Sequence, residues 1–557
     1  MRYSFSHRIM RNSWGLNGLA IFAAIVLLGQ MARAQYLDEI GMTTLRAVTT
    51  NLDGTGINVG QPEAYNGDNG SPISWEVNPT NVAQPVALFT YTSSLGSSSS
   101  YPNSVGDWSS HADAVGNNFY GIPNGVATNV THVNNYDVNY YVQLGYSVIG
   151  PNTNWVCSLS GANSSDEIVN QSFIFGLVPS QISVPAQQAI DSAYDNYAVT
   201  NHTLFVSGAG NYGPVSGSVC PPSTSYNGIS VGAYGSTYSS VGPTVDNGRC
   251  KPDITSPGLA GLTSFSTPYV AGAAAVLEQA GLRGDGGSST NAAADIRTVK
   301  ALLLNGAVKP ADWTNSTSTP LDARYGAGVL NVFNAYEQLA GDKRSFIVST
   351  TVTVGSAHPP TGATGTIAVL NGWDFNTNTS SFFNDAVKHY YFNVTNNAGN
   401  SNFTGTATLV WNRHQNQTAI NNLSLFLYNC ANSNLVTCST SAVDNVEHIF
   451  VPRLAAGRYD LQVWKAGGFS TVSTAEPYAL AFAFVSPSLT ITPSGGNVTL
   501  AWPVYPAGFL IEATTNLVSP AWTNNNLPAS VITNSMNNLI LNATNAQQFF
   551  RLRQPNF

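Results

Sequence analysis

Residues 248 to 281, GRCKPDITSPGLAGLTSFSTPYVAGAAAVLEQAG, constrain this chain more than any other run. Gly, Pro and Ser punctuate the first half, which predicts turns there. From Ser264 to Leu277 no residue is charged, and most are Ala, Gly, Val or another small or apolar type. A small-residue helix thus starts directly behind the turn-rich half. The predicted helix, Ser264–Ala280, puts the Ser264 hydroxyl at its N-terminus. First-turn N–H groups and the macrodipole favour negative charge at that end. An acyl-transfer nucleophile needs such a setting.

The start of the chain bears on compartment. Arg2, Arg8 and Arg11 precede the apolar run Leu19–Leu28, and Ala32-Arg33-Ala34 fits a small-residue cleavage site. This predicts a secretory signal peptide over residues 1–34, cut after Ala34. The apolar run is too short to span a bilayer as a helix. The segment carries four arginines and no acid, so its removal takes the formal net charge from −8 to about −12. Such a balance argues against nucleic acid or anionic lipid as partner. Charged residues make up 9% of the chain, against roughly 25% in typical soluble domains. Neutral polar residues cover the difference, as expected of a secreted, extracellular protein.

Five cysteines in 557 residues are too few for a disulfide framework. Cys430 and Cys438 flank a loop rich in Asn and Ser, which predicts a local disulfide across a hairpin. Cys220 and Cys250 form a second candidate pair, with Cys157 left over. No HExxH, CxxC or Cys/His cluster occurs, so no cofactor or catalytic metal is expected. Structural calcium sites are left open.

Up to about residue 343 the pattern alternates. Ile57–Gln61, Thr203–Ser207 and Ile229–Tyr234 read as buried strands. Ala186–Tyr197, Ser264–Ala280 and Ala293–Leu304 read as helices. This predicts an α/β fold, a parallel sheet with helices on both faces. After Arg344 the composition shifts to alternating segments such as Lys388–Val394, Gly405–Trp411, Leu423–Tyr428 and Tyr459–Val463, divided by Asn/Gly/Ser turns. These predict an all-β, sandwich-like module over 344–487. Val498–Trp502, Phe509–Ala513 and Phe549–Leu552 predict a small β module over 488–557.

The run 248–281 resembles the catalytic-serine segment of the subtilisin-like serine peptidases, the subtilases. Thr263-Ser264-Phe265-Ser266-Thr267-Pro268 stands where that family has Thr-Ser-Met-Ala-Ser/Thr-Pro. Lys251-Pro252-Asp253-Ile254 with Pro257-Gly258 resembles its lead-in. The similarity extends over roughly residues 50–340. It implies a peptidase domain over 35–343, with the module at 344–487 loosely similar to pre-peptidase C-terminal domains and that at 488–557 fibronectin-like. It implies that Ser264 is the nucleophile. Ser109-Ser110-His111-Ala112-Asp113 resembles the histidine motif and implies His111 as the base, with Asp113 and Ala114 replacing the family's Thr-His. Gly56–Glu63 resembles the strand that ends in the catalytic aspartate, and Glu63 takes that position. Asp53 and Asp68 are nearby alternatives. Leu204–Asn211 resembles the strand ending in Ala-Ala-Gly-Asn and implies Asn211 as oxyanion donor. Leu262 replaces the glycine that precedes Thr-Ser.

The resemblance also implies a substrate pocket walled by Ser172, Phe173 and Ile174 on one side and Gly208, Ala209 and Gly210 on the other. Two other motifs carry no chemistry. Gly208–Gly213 fits GxGxxG, but Pro214 and the glycine- and proline-rich residues after it forbid the helix that a dinucleotide site needs. Gly228–Gly232 fits GxSxG within what reads as continuous strand, not the strand–turn–helix of a nucleophile elbow. The expected activity is that of a secreted serine endopeptidase acting on proteins or peptides. The alternatives are an inactive subtilase-fold surface or binding protein and a carbohydrate-binding β-rich protein. No nucleic acid and no membrane insertion are expected, and cell-surface or polysaccharide contacts through the C-terminal modules are left open.

Overall fold

The structure is a computed structural model and describes residues 35–149, 152–176, 179–395, 402–506, 509–525, 527–533, 536–543 and 547–553. The predicted signal peptide lies outside them. Eight strands form one sheet: β1 Asn58–Glu63, β2 Phe89–Ser93, β3 Gly96–Ser98, β4 His132–Asp137, β5 Ile168–Gln171, β6 Leu204–Gly208, β7 Ile229–Ala233 and β8 Ile254–Ser256. Their order is β8-β7-β6-β5-β1-β4-β2-β3. Every adjacent pair is parallel except β2 with the short edge strand β3. β5, β6 and β7 are buried along their whole length, as parallel strands covered on both sides must be.

Five helices matter for the site: α1 Ser110–Phe119, α2 Val184–Asn201, α3 Thr263–Arg283, α4 Ile296–Gly306 and α5 Val332–Ala340. Phe205 of β6 meets Tyr194 and Tyr197 of α2. Gly208, of opposite parity on the same strand, faces Thr263 and Thr267 of α3. Alternate strand residues point to opposite faces, so α2 and α3 lie on the two sides of the sheet. α3 is the predicted small-residue helix, and every residue from Ser266 to Gly281 is buried. Its Gly272 permits the closest approach, since a Cβ there would lie 2.5 Å from the Cβ of Val126.

The predicted helix Ala293–Leu304 differs. A short turn of helix ends at Ala293, and α4 begins only at Ile296. Asp295 is the reason: its backbone is extended, and its carboxylate accepts from Arg297 N at 2.9 Å, the geometry of an N-cap.

The later residues form antiparallel sheets. One is five-stranded: β9 Val348–Thr353, β11 Asn384–Val394, β16 Gly457–Lys465, β13 Leu423–Asn429 and β14 Leu435–Ser439, in that order. The other is four-stranded: β10 Asn371–Thr379, β17 Ala475–Val485, β12 Asn402–Trp411 and β15 Val446–Ala455. Their inner faces share a core that includes Tyr390, Phe392, Leu409, Trp411, Leu461 and Phe482. A smaller cluster around Leu500, Trp502, Ile511 and Leu539 holds the last strands.

The four-stranded sheet packs against the α/β region, with Trp373, Val410, Val446, Ala479 and Ala481 joining the apolar cluster of the α/β domain. Trp373 is fully buried and donates its indole N–H to Leu339 O of α5 at 3.1 Å. Thr406 and Thr408 of β12 both donate to Asn305 Oδ1 of α4, at 2.9 and 3.0 Å.

Candidate active site

β1 ends at Glu63, and α1 starts beside it. The start of α1 is secured twice, because Ser109 Oγ accepts from Ala112 N and Asp68 accepts from Ser110 N at 2.8 Å. That fixes His111 in the first turn. Its Nδ1 lies 2.8 Å from Glu63 Oε2, with His111 8% exposed and Glu63 fully buried. A carboxylate against Nδ1 keeps the proton on that nitrogen and makes Nε2 the basic end of the ring. Gln61 braces the carboxylate from the same strand: its Nε2 donates to Glu63 Oε1 at 2.9 Å and to Ala112 O at 3.0 Å. Tyr120 OH in turn donates to Gln61 Oε1 at 2.6 Å. The sequence motifs do not mark this brace. The i, i+2 spacing of Gln61 and Glu63 on one strand face is its one visible sign; nothing in the sequence points to the tyrosine.

The other acids lie elsewhere. Asp113 turns away from His111 and accepts from Trp108, Asn81 and Asn78. Burial pushes its carboxyl up to about 6 against the pull of those donors. Asp68 is spent on Ser110 and Asn66. Asp53 binds Thr55 and Asn129. Glu63 is the carboxylate that meets His111.

Ser264 is the second residue of α3 and 5% exposed. The rings of Phe265 and His111 lie 5.7 Å apart, and Asn118 of α1 donates to Phe265 O at 3.1 Å. Pro268 has no N–H to offer Ser264 O, its acceptor four residues back. That carbonyl is taken instead by Ser172 Oγ at 2.9 Å, and Ser264 Oγ lies 3.4 Å from Ser172 O. The proline thus ties the head of α3 to the segment after β5.

Leu262, the N-cap residue, supplies no capping side chain. Asn211 caps the helix from another segment, its Oδ1 accepting from Thr263 N at 2.9 Å and Thr263 Oγ1 at 3.1 Å. With the oxygen held there, the amide nitrogen of Asn211 projects from the opposite side of the group. Leu262 itself has φ −101° and ψ 135°, ordinary extended backbone, so the missing glycine costs no strain. The sharp turn falls earlier, at Ala260 and Gly261, with φ 56° and 66°.

The residues expected to wall a pocket lie together. Ser172, Phe173, Gly208, Ala209 and Gly210 are buried, and Ile174 is half-buried. Cys220 N donates to Ala209 O at 2.9 Å, and Phe175 N to Pro221 O at 2.9 Å, so one turn bonds to Ala209 and to the residue that follows Ile174.

The predicted disulfide between Cys430 and Cys438 does not form, and the Cys220–Cys250 pairing fails too; all five cysteines are free thiols. Strand register explains the first. Cys438 stands opposite Phe426, four residues from Cys430, or about 14 Å along a strand. A disulfide tolerates at most about 7 Å between Cα atoms. Among the described residues, no group of three or more His, Cys, Asp or Glu side chains gathers as a metal site.

Residues 96–328 match the family model Peptidase_S8, the subtilase family. This chain carries a subtilase domain. The matched stretch includes His111, Asn211 and Ser264, while Glu63 precedes it. No curated protein matches the chain. Solved structures similar to it include the prenylagaramide maturation protease PagA, at 20% identity and TM-score 0.36, covering 54% of this chain and 99% of that one. A psychrophilic protease, S41, follows at 19% and 0.31, covering 52% and 96%. Sphericase stands at 18% and 0.32, covering 52% and 96%. The subtilase similarity is thus confined to residues 96–328, and no helix among the described residues is long and apolar enough to cross a membrane.

Proposed function

We propose that the protein is a secreted serine endopeptidase, with Ser264 as nucleophile, His111 as base, Glu63 as its orienting acid and Asn211 as oxyanion donor. The observation that carries this reading is the buried His111–Glu63 pair beside the helix whose first turn bears Ser264. Ser264 Oγ attacks the scissile carbonyl carbon as its proton passes to His111 Nε2. Glu63 stabilises the imidazolium that results. The oxyanion meets Asn211 Nδ2 and the Ser264 N–H, at the positive end of α3. Collapse breaks the C–N bond, and the leaving amine takes the proton from His111. Water then repeats the sequence on the acyl-enzyme and releases Ser264.

Glu63 supplies the carboxylate one methylene farther from its backbone than an aspartate would, and the Gln61–Tyr120 brace holds that longer side chain in place. Ser172–Ile174 and Gly208–Gly210 wall the substrate cleft, where an extended peptide would pair by its backbone. Export rests on the leader-like first 34 residues and the scarcity of charge. The test is a fluorophosphonate probe on the purified protein, followed by peptide mapping. One adduct on Ser264 is expected, and an unlabelled Ser264 in folded protein refutes the reading.

A further inference from the structure

The turn that bonds to Ala209 and to Phe175, next to the proposed cleft walls, is itself held from outside the matched subtilase stretch. Cys220 and Pro221 bond to Ala209 and Phe175, as above. The chain then runs through two tight turns, Ser223 N to Cys220 O and Ser225 N to Pro222 O, to Tyr226 and Asn227. Asn227 exchanges two hydrogen bonds with the backbone of Arg413, a residue just after β12: Arg413 N donates to Asn227 Oδ1 at 2.8 Å, and Asn227 Nδ2 donates to Arg413 O at 3.0 Å. The Arg413 guanidinium lies over the Tyr226 ring at 4.6 Å, with Arg249 also against that ring at 3.9 Å. Arg413 Nη2 meets Asp195 Oδ2 at 2.7 Å, both groups buried. Asp195 in turn accepts from the N–H groups of Asn227 and Tyr226. Asn445, from the same β module, donates to Tyr226 O at 3.0 Å.

We infer that Arg413 is a positioning residue of the substrate cleft, and that the β module is thereby a working part of the peptidase. This rests on the cleft assignment proposed above. Buried, planar and doubly bonded, Arg413 fixes Tyr226 and Asn227. Those residues anchor the 220–225 turns, and the turns set the spacing of the two walls. Lysine could keep the charge opposite Asp195 but not the planar stack on Tyr226. The contacts of Arg413 run to Asp195, Asn227, Ser192 and the Tyr226 ring, so losing it should disturb substrate binding more than nucleophile activation.

The experiment uses the full chain. Active sites of wild type, Arg413→Ala, Arg413→Lys and Asn227→Ala are titrated with fluorophosphonate, and peptide hydrolysis is expressed per titrated site. Expected is a rise in KM of about ten-fold in Arg413→Ala, the scale of coupling through packed networks, with kcat and labelling rate within about two-fold of wild type. Asn227→Ala should raise KM in the same direction, and Arg413→Lys should recover part of the loss. Hydrogen exchange is the second readout and needs no activity. The amides of Phe175 and Cys220 should lose protection in Arg413→Ala while those of β1 keep theirs. Unchanged KM per titrated site, or unchanged protection at Phe175 and Cys220, overturns the inference. Wild type that does not label at all refutes the peptidase reading instead, and exchange then decides the positioning role alone.

Discussion

Among the described residues two histidine–carboxylate pairs have both partners buried, and they sit in different surroundings. In the subtilase domain His111 Nδ1 meets Glu63 at 2.8 Å; in the β module His389 Nδ1 meets Asp460 at 2.8 Å. The second pair even has a hydroxyl in line, with Thr350 Oγ1 2.8 Å from His389 Nε2. By distances alone it is a Thr–His–Asp relay. Yet all three residues sit on strands of one sheet, β9, β11 and β16. Among the described residues no helix starts there to present first-turn amides, and no asparagine faces Thr350 as Asn211 faces the head of α3. On the proposed reading, a carboxylate, an imidazole and a hydroxyl would not make a hydrolytic site by themselves. What distinguishes the Ser264 region is the helix N-terminus and the amide opposite it, which can receive negative charge.

The nucleophile should separate the two pairs most widely. Ser264→Ala should abolish fluorophosphonate labelling and lower turnover by about 10⁶, the loss that follows removal of the nucleophile in subtilisin. Thr350→Ala should leave labelling intact; adduct on Thr350 would put the two sites on an equal footing. The acids come next. Glu63→Gln should cost about 10⁴ in turnover with little change in binding, and Glu63→Asp should retain more activity than Glu63→Gln. Wild-type rates in Glu63→Gln would show that His111 is oriented by something else.

Asp460→Ala should instead act on stability. It strands His389 and Gln462, which donates to the same carboxylate at 2.7 Å, at a cost of about 3 kcal/mol. Denaturant melts would read that loss, while turnover of the folded fraction should stay within about two-fold of wild type.

The smallest effect is a pH dependence of stability seated in the subtilase domain. Burial holds the Asp166 carboxyl up at about 7, against donors from Asn134 and Tyr136, and burial likewise raises Glu76 to about 7. In the folded protein these groups keep protons that the unfolded chain has released. Their contribution to stability is therefore present below about pH 4 and is lost as pH rises through about 7. The melting temperature should fall from pH 5 to pH 8, and Asp166→Asn should flatten that slope. Parallel curves for wild type and Asp166→Asn would exclude Asp166 as a source.

How much of this is legible in the sequence depends on the distance over which each feature is encoded. The helix expected over Ser264–Ala280 and found at Thr263–Arg283, the strands expected at Ile57–Gln61 and Thr203–Ser207 and found one or two residues later, and the antiparallel β strands after Arg344 all follow from patterns a few residues long. Hydrophobic period, turn residues and the limits on proline act locally, so they can be read from the order of residues. The break before α4 is not legible, because Asp295 acts as a cap only by a local backbone choice that the apolar pattern runs across.

The contacts that unite the site lie at long range. Asn211 caps Thr263 across 52 residues, Tyr120 reaches Gln61 across 59, and Ser172 answers Pro268 through a carbonyl 92 residues away. Arg413 closes on Asn227 across 186. The same limit lies behind the false disulfide: Cys430 and Cys438 are near in sequence, and only the hairpin register sets them apart. Local sequence pattern therefore fixes the class of the segments it marks, α/β before Arg344 and β after it, and some of their ends only to within a residue or two. The tertiary structure decided which ends meet, because sheet order and register are settled by burial summed over the whole domain and not by any one segment.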